Sequence, residues 1–114
     1  MSVTSGVWTF PSTGHWLVNA VGSGSESGAI AYLVLLIAFT ANNGSSWPEE
    51  QEGTWNSSAA GARCGSAVTA TYDITDVANQ KIRFVVQTGN SSGTKFASST
   101  ANRFYFEFVK LSNT

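Results

Sequence analysis

Few side chains in this sequence could perform acid–base chemistry, and their spacing does not form a catalytic pattern. His15 is the single histidine, and to act as a general base it would need a carboxylate such as Asp73 or Asp76 beside it. No spacing in the sequence connects these residues. We therefore predict that the protein is not an enzyme. His15 is expected to be a surface or subunit-contact histidine, whose protonation would make that contact sensitive to pH.

The highest local density of carboxylates is the run Glu49-Glu50-Gln51-Glu52. Calcium requires about six or more oxygen ligands in a preset loop, and the Asp-x-Asp-x-Asn-Gly pattern that supplies them is missing here. We interpret the run as a solvated loop and expect no metal and no cofactor. A calcium site is the less favoured alternative.

Two tryptophans, Trp47 and Trp55, flank this acidic run within the irregular stretch 41–65. Exposed aromatic rings can cover the C–H faces of sugars while nearby polar groups bind the hydroxyls. The alternative is that both indoles pack beneath the loop and anchor it. If the chain binds a glycan or a receptor, the predicted contact loop consists of Trp47, Glu49, Glu50, Glu52, Trp55 and Asn56.

The composition excludes several classes of protein. The chain has 114 residues, enough for one domain spanning 1–114, and only 11% of them are charged, against about 25% in ordinary proteins. A net charge of -1 argues against a nucleic-acid binder. The single cysteine, Cys64, excludes an internal disulfide and is expected to be buried. The N-terminus lacks the features of a secretory signal, and the longest apolar stretch is too short to cross a bilayer, so no membrane insertion is expected.

Short segments with alternating polarity predict an all-β fold. In the segment 66–74 the residues predicted to face inward are Val68, Ala70, Tyr72 and Ile74, and in 81–87 they are Ile82, Phe84 and Val86. His15 to Val21 is a further strand, followed by a break at Gly22 to Ser25. The segment 29–40 is almost entirely apolar, which favours a strand covered on both faces, with a buried helix as the alternative. One or two short strands are expected around Gly53 to Trp55.

Three segments resemble the C1q/TNF-like jelly-roll family. Residues 8–18 read WTFPSTGHWLV, which is similar to the family's signature turn, where Pro11 and Gly14 shape a tight reversal. Residues 72–84 resemble its small-residue strand, turn and next core strand, and residues 104–111 its buried last strand. The resemblance covers most of the chain and is closest to modules of phage virion proteins.

This resemblance implies an antiparallel jelly-roll β-sandwich that assembles as a homotrimer. The residues expected to form its core or its trimer contacts are Trp16, Tyr32, Leu36, Phe84, Phe104, Phe106 and Phe108. The family places a strand before the signature turn, whereas only seven residues precede Trp8 here. Either the chain is the end piece of a longer fibre protein, or a neighbouring subunit fills the edge that this strand would occupy.

The function implied by the resemblance is structural and adhesive. We expect a non-enzymatic module on the surface of a virion, in a tail fibre or receptor-binding tip, that contacts other virion proteins and a host-surface glycan. A capsid decoration protein is the first alternative. A stand-alone carbohydrate-binding module is the second, and a depolymerising hydrolase is disfavoured by the shortage of histidine and carboxylates.

Overall fold

A computed structural model describes residues 1–25, 33–55, 63–88, 94–95 and 104–114. These residues form two antiparallel β-sheets that pack face to face as a compact sandwich, and they contain no helix. The prediction of an all-β sandwich is confirmed. No helix that could span a membrane occurs in the described part of the chain.

Nine strands are present in the described residues. In chain order they are β1 (Ser2–Thr4), β2 (Val7–Thr9), β3 (Gly14–Ser25), β4 (Leu33–Thr40), β5 (Glu49–Trp55), β6 (Arg63–Ile74), β7 (Lys81–Thr88), β8 (Thr94–Lys95) and β9 (Phe104–Ser112). The first sheet has the order β1-β2-β7-β4-β5. In the second sheet β3 is central, with β6 on one side and β8 and β9 on the other.

The strand pairs are nested within one another along the chain. β4 pairs with β5, β3 pairs with β6 around them, and β2 pairs with β7 around both. Successive pairs fall into alternate sheets, since the first and third lie in one sheet and the second in the other. The described residues provide β9 with partners on one edge alone, along β3.

The core between the sheets follows the predicted alternation. Trp16, Val18 and Ala20 of β3 are buried, and they pair in register with Tyr72, Ala70 and Val68 of β6, which are also buried. Every second side chain of a strand lies on its inner face and is removed from water on folding. Each large apolar side chain buried in this way stabilises the folded state by about 1.5–3 kcal/mol. The predicted inward positions of both 66–74 and 81–87 pack in or against this core.

Strand β4 is buried along its whole length and is not a helix. Leu35, Ile37 and Phe39 face the other sheet, whereas Leu36 points outward between Val85 of β7 and Glu52 of β5. Leu36 is nevertheless only 5% exposed. Tyr32, which was predicted to lie in this strand's core or at a trimer contact, falls outside the described residues.

Two sequence predictions about local structure are wrong. Residues Gly22 to Ser25 do not break the chain but extend β3, and a side chain on Gly22 would place a Cβ 2.5 Å from the ring of Phe104. The acidic run is not a loop but most of β5. In contrast, Gly14 adopts a φ of 137°, which confirms the prediction that the tight turn before β3 uses the conformational freedom of glycine.

The two open sides of the sandwich differ. Between β5 and β6 the sheets touch at Gly53, whose carbonyl accepts a hydrogen bond of 2.6 Å from the Ser66 hydroxyl. On the β9 side an aromatic cluster stays half-buried, and it consists of Trp8, Phe84, Phe104, Phe106 and Phe108. Phe84 and Phe106 stack within it at 3.9 Å between ring centres.

Candidate functional site

The acidic residues of the predicted contact loop lie on opposite faces of β5. Glu50 and Glu52 pair with Ala38 and Leu36 and point outward, whereas Glu49 pairs with Phe39 and shares the inner face. All three carboxylates are exposed, because β5 is an edge strand. A strand alternates its side chains with a period of two, so these residues cannot converge on one ligand.

Trp47 packs against a cation rather than standing free. The guanidinium carbon of Arg83 lies 4.5 Å from the centre of the Trp47 ring, and the indole is half-buried. This contact favours the anchoring interpretation for Trp47. The side chain of Trp55 and the whole of Asn56 lie outside the described residues. Among the described members of the predicted contact loop, Glu49 lies on the opposite face of β5 from Glu50 and Glu52.

The segment before Trp47 is held by a compact hydrogen-bond network. The buried hydroxyl of Thr40 donates to the Asn42 Oδ1 at 2.7 Å and accepts from the Gly44 amide at 3.2 Å. The Asn42 Oδ1 also accepts from the Ser46 amide at 3.0 Å, and the Asn43 amide donates to a carbonyl of the 75–80 turn at 2.9 Å. Local bonds of this kind fix a turn and leave little freedom for rearrangement around a ligand.

Replacing Trp47 with alanine is expected to destabilise the protein by about 1–2 kcal/mol, because a cation–π contact and partly buried apolar area are lost. Trp47→Phe keeps a ring over Arg83 and should lose less than half as much. Urea unfolding of both variants measures this. A loss below about 0.3 kcal/mol in Trp47→Ala would contradict the anchoring role and leave the indole available to a ligand.

A cleft lies between the edge strands β5 and β6, beyond the point where the sheets touch. Its volume is about 290 Å³, and its lining consists of Glu49, Gln51, Thr69, Ala70, Thr71 and Tyr72. We refer to it as the β5–β6 cleft. Its two walls belong to different sheets, and each wall is an edge strand whose described hydrogen-bond partners lie on one side only. Backbone groups therefore face the cleft as well as side chains.

Tyr72 is the most unusual group in the β5–β6 cleft. Its ring stacks on Phe39 at 5.0 Å with an angle of 10° between the planes, and the residue is only 9% exposed. Its buried hydroxyl makes no hydrogen bond to the described residues. Burial, and secondarily the negative charge of Glu49, raises the pKa of Tyr72 to about 12. The phenol is therefore neutral and able to donate a hydrogen bond at physiological pH.

The register brings together a row of polar groups on the outer face of the second sheet. His15 lies beside Asp73, with 3.8 Å between Nε2 and Oδ1, and its Nδ1 lies 3.0 Å from the Ser112 hydroxyl. In serine hydrolases the hydroxyl contacts Nε2 and the carboxylate contacts Nδ1, which is the reverse of this arrangement. His15 and Asp73 each expose 51% of their side chains, so water competes for both groups. The row fits a surface polar contact.

Asp76, the other carboxylate considered beside His15, has a local structural role. Its carboxylate accepts hydrogen bonds from the side chain of Asn79 at 2.7 Å and from the Ala78 amide at 2.9 Å. These bonds lower the pKa of Asp76 and close the turn before β7. The described residues contain no group of three or more His, Cys, Asp or Glu side chains placed to hold a metal ion.

The outer face of the second sheet carries apolar side chains that no other described element covers. Tyr105, Val109 and Leu111 of β9 are 38%, 40% and 56% exposed. Leu17 and Val21 of β3 pair with Val109 and Tyr105 and lie beside them. We call these five residues the outer patch. The remaining predicted core or trimer residues, Trp16, Leu36, Phe84, Phe104, Phe106 and Phe108, lie in the first sheet's strands or between the sheets.

The fold and these surfaces define an all-β sandwich of two antiparallel sheets. No protein-family model matches the chain, and no curated protein matches it. Sequence reasoning identified Tyr72 as an inward residue but missed that its hydroxyl has no partner among the described residues, and it did not single out Gln51, Arg83 or Ser112. Pairing register decides which side chains these groups meet, and no motif in the sequence signals it.

Proposed function

We propose that this chain is a non-enzymatic structural and attachment module of a phage-like virion, built as a trimeric jelly roll of the C1q/TNF-like type. The resemblance of residues 8–18, 72–84 and 104–111 to such modules supports the family and the setting. The observation that carries the proposal is the nested strand order together with the open β9 side.

The order of the described strands fits a jelly roll without its outermost strand. A jelly roll is a ribbon of nested antiparallel pairs, rolled so that successive pairs enter alternate sheets. The pairs β4–β5, β3–β6 and β2–β7 follow this rule. The fourth pair would join β9 to a strand preceding β2, in the second sheet. In this chain β1 instead forms a hairpin with β2 in the first sheet.

We assign a neighbouring copy of the chain to the open β9 side of the sandwich. The aromatic cluster beside β9 is only half-buried, and the outer patch lies on the same strand. Apolar area of this kind is stabilised when another subunit removes it from water. The outer face of the first sheet carries Glu50, Glu52 and Gln87 instead, so the second sheet is the better trimer face. The low overall charge suits such packing.

The solution mass tests the trimer. We expect light scattering at two concentrations about tenfold apart to give close to three times the 12.0 kDa of one chain. Val109→Glu would place a charge at the subunit contact, which costs several kcal/mol when unpaired, and should yield monomers. Gln87→Glu adds the same charge to the other sheet and should remain trimeric. A well-folded monomer of the unaltered chain would overturn the trimer and with it the jelly-roll assembly.

The place of the module in the particle is a separate part of the proposal. We favour a tail fibre or receptor-binding tip, for which the purified trimer should bind intact host cells and compete with adsorption of the phage. Binding to capsids instead of cells would favour the capsid-decoration alternative. Glycan binding by a stable monomer would favour the stand-alone carbohydrate-binding module.

A further inference from the structure

We propose that the β5–β6 cleft binds a neutral, hydroxyl-rich ligand, namely one sugar unit of a saccharide. A sugar unit is a ligand class that suits the proposed attachment function. The binding site is argued from the cleft itself, and only its biological role rests on the proposed function. The site differs from the predicted contact loop, because it shares only Glu49 with that loop and adds Gln51 and Tyr72 from the inner face.

The size of the β5–β6 cleft sets the size of the ligand. Small-molecule sites occupy about 300–1,000 Å³, and about 290 Å³ lies at the lower end of this range. A single sugar ring fits this volume, whereas a longer oligosaccharide would have to extend beyond it along the strand edges. The contact between the two strands at Gly53 and Ser66 lies farther along the same strands, outside the lining of the cleft.

The polar groups of the β5–β6 cleft select a ligand that both donates and accepts hydrogen bonds. The Tyr72 phenol is a donor without a described partner, and the Glu49 carboxylate is an acceptor only. One ligand hydroxyl can accept a hydrogen bond from the Tyr72 phenol and donate one to the Glu49 carboxylate. The Gln51 amide can donate to a second hydroxyl of the ligand or accept from it. An anion would be repelled by Glu49, and a cation that carries no acceptor atom would leave the Tyr72 O–H donor without a partner. A buried phenol without a partner is costly, so a ligand that supplies one gains binding energy.

The walls of the β5–β6 cleft are held in place before a ligand arrives. Tyr72 is fixed by its stack on Phe39 and by its position in the long β3–β6 ladder. The Glu49 and Gln51 positions are set by pairing of β5 with the fully buried β4. The backbone of the site is therefore set before binding, and a ligand needs only side-chain shifts at the rim to reach the enclosed Tyr72 hydroxyl.

The experiment uses methyl glycosides as probes with the full chain. Ligand-observed NMR and titration should detect binding of at least one neutral methyl hexoside, and the matching methyl uronide should bind at least about tenfold more weakly. Glu49→Gln should weaken the neutral probe about tenfold and Tyr72→Phe about fivefold. Glu50→Gln removes the same charge from the outward face of the same strand and should change the affinity less than about twofold.

A second readout separates ligand binding from a structural effect of the variants. Without a ligand, Tyr72→Phe should raise the Tm by about 4 °C, because it removes a buried hydroxyl that has no partner. The same variant should lose most of the Tm increase that the probe gives the unaltered chain. Together these opposite changes identify the phenol as a group that contacts the ligand.

Three results would overturn the site. They are no binding of any neutral probe up to about 50 mM, an affinity of both cleft variants equal to that of the unaltered chain, or loss of binding in Glu50→Gln alone. The mass of the same samples distinguishes this failure from failure of the proposed function. A trimer that binds no glycoside contradicts the cleft site only. A monomer whose binding depends on Tyr72 contradicts the trimeric module only.

Discussion

Replacing Gly53 with alanine is expected to lower the free energy of unfolding by about 3 kcal/mol. A Cβ at this position would lie 2.2 Å from the Ala67 carbonyl oxygen and 2.9 Å from the Ser66 hydroxyl. The closest atom belongs to backbone, so β5 must move away from β6. That movement breaks the Ser66–Gly53 hydrogen bond and leaves a buried hydroxyl unpaired. Overpacking and the lost bond each cost about 1–3 kcal/mol.

Urea unfolding measures this effect, and Gly65 provides the matched control. A Cβ on Gly65 would approach the Gly22 carbonyl oxygen at 3.5 Å, which is an ordinary contact. Gly65→Ala, also in an edge strand, should therefore change the stability by less than about 0.5 kcal/mol. Equal stabilities of the two variants would contradict the close approach of β5 and β6 as a closure of the sandwich.

The fold class could be predicted because several strands have one wet face and one dry face. Val68, Ala70 and Ile74 alternate with polar residues that water can reach, and the half-buried phenylalanines of β9 alternate with exposed residues. This alternation assigns each side chain to a face without reference to any other strand. The structure confirms the inward residues that the alternation predicted in β6 and β7. The apolar composition of 33–40 was enough to predict a strand covered on both faces.

Prediction failed where a structure depends on two distant segments. Gly22 and Gly24 look like turn residues, but they continue β3 because β6 pairs along its full length. The acidic run looks like a solvated loop, but pairing with the buried β4 makes it a strand. His15 and Ser112 are 97 residues apart, and only the strand register brings them into contact. Local propensity yields to such pairing, since each ladder satisfies backbone groups along a whole strand.

The candidate site was missed for the same reason. Glu49 was identified for its charge and Tyr72 for its alternation, yet nothing in the sequence places them in one cleft. The strands touch at Gly53, and the cleft lies beside Glu49 and Gln51 of the same strand. A glycine permits the close approach of the two sheets next to the β5–β6 cleft.

The stability of the protein is expected to fall at alkaline pH through Tyr72. The pKa of this phenol is raised from 10.0 to about 12 in the folded chain, by burial and by Glu49. A raised pKa means that the folded state keeps the proton while the unfolded state loses it. The contribution to stability is therefore complete below pH 10 and is lost as the pH rises through about 12. Two pKa units correspond to about 2–3 kcal/mol.

Comparison with Tyr72→Phe isolates this contribution from other alkaline effects such as lysine deprotonation. The difference in unfolding free energy between the variant and the unaltered chain should grow by about 2–3 kcal/mol between pH 9 and pH 12. Tyr105→Phe removes a phenol of the outer patch, away from the β5–β6 cleft, and should retain the alkaline loss that Tyr72 causes. If the Tyr72 difference stayed constant over this range, the phenol would not be held neutral by its surroundings. That result would contradict the enclosure of the phenol in the β5–β6 cleft, and the hydroxyl would remain a hydrogen-bond donor at physiological pH with either pKa.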